Sequence, residues 1–230
     1  MIFRRRSAPT ASPESPASPA AASPPRGAGS AGPTDDEWLA LDLSRDWRED
    51  GPFDISEVDL DADTVERIDL GALIVTPEPG LKVQLVVDQK TQAADTLLVA
   101  GQGFALQLNL LAAPGNPAYV AEWRQRLLDE TAAAEGGVTL AEGPFGTELR
   151  RTLPVTDANG KASQLELRDW LIAGPRWLLH IRLLGQAATD TAARGPAAQL
   201  EEFCRNLIVR RDEVARVPGS PVPLRLPERR

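Results

Sequence analysis

Two glutamates, Glu142 and Glu148, flank the turn Gly143-Pro144-Phe145-Gly146, and such a carboxylate pair can divide acid and base work when both groups converge on a dry cleft. Spacing alone does not show that convergence. Asp59, Asp61 and Asp63 alternate as ligands of a calcium loop do, but the sixth and twelfth places counted from Asp59 hold Thr64 and Leu70 instead of Gly and Glu. The segment reads as a solvated acidic face. His180 is the only histidine, which leaves no multi-histidine metal site, and no serine sits in a nucleophile-elbow context. Cys204 is the only cysteine and lies within an apolar stripe, the setting of a structural thiol and not of an activated nucleophile. No catalytic residue, metal site or cofactor site is assigned.

Positioning elements must come from a chain of 230 residues with 42% hydrophobic content, enough for one substantial core. Its formal charge of −8 lacks the Lys/Arg excess that drives nucleic-acid or anionic-membrane binding. A lone cysteine fits a reducing, cytoplasmic compartment. Arg4, Arg5 and Arg6 are followed by Pro, Ser, Ala and Gly without a large-apolar run, so no secretory signal is read, and no stretch approaches a membrane span. Residues 1–33 are expected to be a disordered tail.

Thr34-Asp35-Asp36-Glu37 has capping-box spacing, which predicts a short helix to about Trp47 within an acidic helical linker, residues 34–50. A single α+β domain is expected over 51–211. Its strands are predicted at Glu66–Val75, Leu81–Asp88, Asp95–Ala100, Gly103–Leu111, Val138–Glu142, Gly146–Leu153, Ala162–Ile172 and Arg176–Leu184. The short spacers, among them Asp88-Gln89-Lys90 and Asp157-Ala158-Asn159-Gly160, favour a largely antiparallel sheet. Helices are predicted at 117–135, opened by Asn116-Pro117, and at 196–209, opened by Pro196. Residues 212–230 hold too many prolines for either element and read as an extended tail.

The strongest local signal is the apolar hairpin Leu165–Leu184 around Gly174-Pro175. A three-residue connection Ala173-Gly174-Pro175 would pair Leu171 with Trp177, Leu167 with Ile181 and Leu165 with Leu183 on a core face. The opposite face would pair Glu166 with Arg182, Arg168 with His180 and Trp170 with Leu178. Two readings follow. Either that face is exposed, and Arg168, Trp170, Arg176, Leu178, His180 and Arg182 form a partner-binding spot that Trp170→Ala would weaken without unfolding the domain, or a helix covers it and Trp170 is core.

The blocks Arg67-Ile68-Asp69-Leu70-Gly71-Ala72-Leu73, Gly143-Pro144-Phe145-Gly146-Thr147-Glu148-Leu149, Gly174-Pro175-Arg176-Trp177 and Pro223-Leu224-Arg225-Leu226-Pro227 resemble those of DUF3710, an actinobacterial domain family of unknown function. The resemblance runs from about Gly51 to the C-terminus and implies a cytoplasmic actinobacterial protein, in keeping with 22 Arg against 3 Lys. It implies no activity and no catalytic residue. The element order is similar to Mog1/PsbP-type α/β/α sandwiches.

Two functions from different classes are expected. One is a non-catalytic protein-interaction module taking an acidic partner, or self-associating through the acidic segment near Asp59. The alternative is a small-molecule binder or hydrolase with a pocket near Gly143–Glu148.

Overall fold

Alternating and continuous apolar runs in the computed structural model, which describes residues 34–87, 93–116, 118–156, 160–190 and 194–226, build a seven-stranded antiparallel sheet. Its strands are β4 (Lys82–Val87), β5 (Ala94–Ala100), β6 (Phe104–Ala112), β7 (Gly137–Gly143), β8 (Gly146–Thr156), β9 (Ala162–Gly174) and β10 (Trp177–Gly185), in the order β4-β5-β6-β10-β9-β8-β7. The meander from β7 to β10 brings β10 back against β6, where Leu179 faces Leu110 and Ile181 faces Leu108. A smaller sheet, ordered β1-β11-β3-β2, combines Phe53–Asp54, Ile208–Val209, Leu73–Val75 and Ile68–Asp69, with β1 and β11 parallel. The strand expected over 66–75 is therefore two, because Gly71, at φ 81°, turns the chain back on itself.

Helices lie on both faces of the large sheet. Helix α2 (Tyr119–Ala133) packs Tyr119, Val120 and Leu127 against Leu149, Leu171 and Leu178. On the other face α3 (Gln186–Thr189) and α4 (Pro196–Arg205) join the main core, which contains Trp170, Ile172, Trp177, Ile181, Phe203 and Cys204. The helix expected to reach residue 209 stops at Arg205, and Ile208 and Val209 pair instead with Phe53, Asp54, Leu73 and Ile74. Their β-branched side chains suit that strand pairing. Leu207 is nonetheless fully buried, as the apolar stripe implied.

Both ends of the expected domain extend further than the composition suggested. Helix α1 (Asp35–Asp42) has the predicted capping box, Thr34 accepting from the Glu37 amide and Glu37 from the Thr34 amide. It is no mere linker, since Asp42 accepts from the Thr147 amide at 2.7 Å and pairs with the buried Arg124. The described residues from Thr34 onward group as one unit. The tail expected over 212–230 is extended, but through residue 226 it is a strap and not a surface appendage. Val222 donates to Leu110 at 2.8 Å and Leu224 to Ala94 at 2.7 Å, and their side chains are buried in the main core. Proline fits here because only alternate backbone amides are required to pair.

Several expectations fall outside the described residues: the disordered tail over 1–33, the turn at Asp88-Gln89-Lys90, the Asp157-Ala158-Asn159 part of the hairpin turn, Pro117, and residues 227–230. Asn116 still accepts from the Ala118 amide at 3.0 Å, ahead of α2.

Candidate functional site

The hairpin that carried the partner-binding expectation has a different register. Trp177 pairs with Gly174, Leu179 with Ile172, Ile181 with Trp170 and Leu183 with Arg168, so the connection is the two residues Pro175-Arg176. A Cβ on Gly174 would lie 2.0 Å from the Trp177 ring, so a side chain there is incompatible with this pairing. Residues 167–172 are buried throughout, and a strand covered on both faces offers no polar alternation to set its register.

The six nominated residues consequently separate. Arg168 and Trp170 point into the main core, whereas Leu178, His180 and Arg182 lie on the face beneath α2. Trp170 is 1% exposed and packs edge-on against Phe145 at 5.4 Å, which places it in the core. Arg176 stands apart, exposed at the turn.

Each face of the sheet carries a buried charge cluster. On the main-core face Glu148 accepts from Arg168 Nε at 2.6 Å, Trp170 Nε1 at 3.0 Å and Arg150 Nε at 2.8 Å, and Arg168 also donates to the Asp190 carbonyl at 2.8 Å. On the α2 face Asp169 meets His180 Nε2 at 2.8 Å, Arg182 Nε at 3.0 Å and Arg151 at 3.4 Å. Burial would raise the Asp169 carboxyl, but the His180 hydrogen bond and the charges of His180, Arg182 and Arg151 outweigh it and hold the group below its ordinary value. These are compensated ionic networks of the interior.

The carboxylate pair does not converge. Ala141, not Glu142, faces Glu148 across β7 and β8, so the two carboxylates project from opposite faces. Glu142 is exposed and lies 3.9 Å from Arg45. At Asp59–Asp63 the carboxylates fold onto their own backbone, Asp59 accepting from Asp61 and Asp63 from Val65, while Asp63 also pairs with Arg67. No group of three metal-ligating side chains occurs among the described residues. Burial pushes the Cys204 thiol well above its ordinary range, as suits a structural residue.

A groove of about 450 Å³ lies where the segment after α1 meets the N-terminal end of α2 and the tip of the β9–β10 hairpin. Trp47, Tyr119 and Phe145 line it together with Arg45 and the backbone of Gly174-Pro175. The Trp47 indole is anchored by donating to the Leu41 carbonyl at 3.1 Å, and the Arg45 guanidinium lies 3.7 Å from its ring centroid. Other charged groups in the wall are committed. Arg48 makes two 2.9 Å bonds to Glu57, which raise its basicity and lower the Glu57 carboxyl, and Asp46 accepts from the Arg48 amide. The expected pocket near 143–148 is represented by Phe145 alone. Trp47, Tyr119 and Arg45 went unselected, and a tryptophan between charged residues at Asp46-Trp47-Arg48 was the available signal.

The profile of the family described as "Protein of unknown function (DUF3710)" matches residues 51–230. The chain belongs to this family. The DUF3710 region includes the large sheet, all helices after α1 and the strap, while Arg45 and Trp47 of the groove precede it. No curated protein matches the chain. A crystal structure from Bacteroides thetaiotaomicron VPI-5482 is similar with TM-score 0.38 and 10% identity, over 65% of this chain and 48% of that one. This DUF3710 chain thus spans about half the length of that protein. The solution structure of cyanobacterial PsbP (CyanoP) from Synechocystis sp. PCC 6803 is similar with TM-score 0.33 and 8% identity, over 64% of this chain and 95% of that one. No helix among the described residues is long and apolar enough to cross a membrane.

Proposed function

We propose that this DUF3710 protein is a non-catalytic protein-interaction module of the actinobacterial cytoplasm, binding through the groove at the hairpin tip. Support for the compartment comes from the single, buried thiol, and for the source from the arginine-rich, lysine-poor composition. The observation that carries the function is the lining of the groove: an anchored tryptophan with an arginine stacked on it, the residue types that dominate interface hot spots. By contrast, Glu148 and Asp169 spend their hydrogen-bonding capacity inside the fold.

The test is affinity capture from native lysate with the full chain and its Trp47→Ala variant. A partner recovered in stoichiometric amount by the wild type, and at least about tenfold less by a variant of unchanged melting temperature, supports the reading. Equal recovery by both refutes it.

A small-molecule ligand is the second reading, favoured by the groove volume of about 450 Å³, which falls among those of ligand sites. A metabolite-library thermal-shift screen separates the two, because a ligand binding only the native state raises the melting temperature of the wild type and not of Trp47→Ala.

A further inference from the structure

In the described chain, burial begins at Gly51. No residue from Thr34 to Asp50 is buried, whereas Gly51 and Pro52 are, and the family region begins at the same place. Helix α1 buries none of its residues, although α2 and α4 bury four or more each and even the short α3 buries Ala187 and Ala188. Apolar burial is what ordinarily holds a helix to its domain, so α1 is held by other means.

Its polar contacts with the rest of the described residues converge on one side chain. Asp42 Oδ1 accepts from the Thr147 amide at 2.7 Å, and Oδ2 pairs with Arg124, whose side chain is only 5% exposed. A Cβ on Gly146 would come within 2.8 Å of the same carboxylate, so the start of β8 keeps a hollow for it. Beyond this, the Thr147 hydroxyl donates to the Trp38 carbonyl at 3.3 Å, and Arg45 and Glu142 lie 3.9 Å apart at the surface. Arg124, Gly146 and Thr147 thus form a carboxylate receptor inside the family region, and its occupant comes from outside that region.

Arg48 is fixed to the body by donating to the Pro52 carbonyl and to Glu57. Trp47 instead goes with α1, because its indole donates to the Leu41 carbonyl. The attachment is finely balanced. Seating Asp42 against Arg124 withdraws two charges from water, a cost that offsets most of their attraction, and no fully buried apolar side chain of α1 adds to it.

We infer that residues 34–47 are a hinged lid, anchored at Arg48 and closed by the Asp42 carboxylate in its receptor, and that closure assembles the aromatic groove. Leu43, Arg45 and Trp47 supply one wall, while Tyr119, Phe145 and Pro175 belong to the body. Opening therefore removes the tryptophan and its stacked arginine together. The functional consequence rests on the interaction-module reading: a partner held in the groove binds only the closed form, so binding and closure stabilise each other.

The test is native hydrogen exchange of the full chain, read peptide by peptide by mass spectrometry. Amides of α1 should show at least about a hundredfold less protection than those of β9 and β10. That protection should barely change in sub-denaturing urea, because a local opening exposes little new surface. Asp42→Asn should lower it at least about tenfold further. The double variant Asp42→Asn with Arg124→Gln, which leaves no lone buried charge, should do the same while the sheet amides keep wild-type protection. The assignment falls if α1 exchanges as slowly as β9 and β10, if neither variant speeds it, or if the double variant loosens sheet and helix alike. Lysate capture by the double variant should drop at least about tenfold. Wild-type capture by a double variant whose α1 is unprotected, with capture by Trp47→Ala abolished, would overturn the lid and leave the groove reading intact. Wild-type capture by Trp47→Ala refutes the groove reading, and exchange alone then decides the lid.

Discussion

Glu148 and Arg168 meet diagonally across β8 and β9 inside the main core, with Arg168 Nε 2.6 Å from Glu148 Oε2 and both side chains almost wholly withdrawn from solvent. The carboxylate receives further donors from Trp170 and Arg150, so its desolvation is offset by several directed contacts at once.

Removing one member strands the other. Glu148→Leu should destabilise the fold by about 3–5 kcal/mol, because the buried Arg168 charge loses its partner, and adding Arg168→Met should restore most of that loss. Urea unfolding of the single and double variants checks both directions.

Trp170→Ala should cost about 3–5 kcal/mol, the loss of a buried aromatic plus the cavity it leaves against Phe145. A cost under about 1 kcal/mol in equilibrium unfolding would contradict the observed register.

Acid should destabilise the protein through Asp169. Its folded carboxyl titrates below the unfolded value of about 3.9, so its contribution is fully present above that pH and is lost as pH falls through the lower folded value. Asp169→Asn should be less stable than wild type at neutral pH and show a flatter decline below about pH 4. Melting temperatures of both proteins across this range test the sign.

Truncation after Arg216 should destabilise the domain by at least about 3 kcal/mol, because Val222 and Leu224 each bury an apolar side chain in the main core and carry backbone bonds to β6 and β5. Val222→Asp in the full chain should have a similar effect. Chemical denaturation curves that overlay wild type would show that the strap is dispensable.

Local chemistry determined much of this protein by itself. The Thr34–Glu37 capping box, Pro196 at the start of α4, the short spacers of the antiparallel meander and the alternation within β4 to β6 depend on neighbours within a few residues, so the α+β antiparallel class was legible in the sequence. Sequence blocks at 67–73, 143–149, 174–177 and 223–227 also carried the family. Tertiary structure decided the rest. The hairpin register was set by the Trp177 ring over Gly174 and by cover on both faces of β9, so periodicity could not say which way Trp170 points. Ile208 and Val209 left the helix for a strand because partners at 53–54 and 73–74, distant in sequence, complete their hydrogen bonds. The strap was invisible for the same reason: proline-rich composition excludes a helix, but only packing decides whether Val222 and Leu224 are core. The groove arises where segments around 42–48, 113–120 and 171–175 converge, and long-range proximity of that kind is not encoded in local spacing.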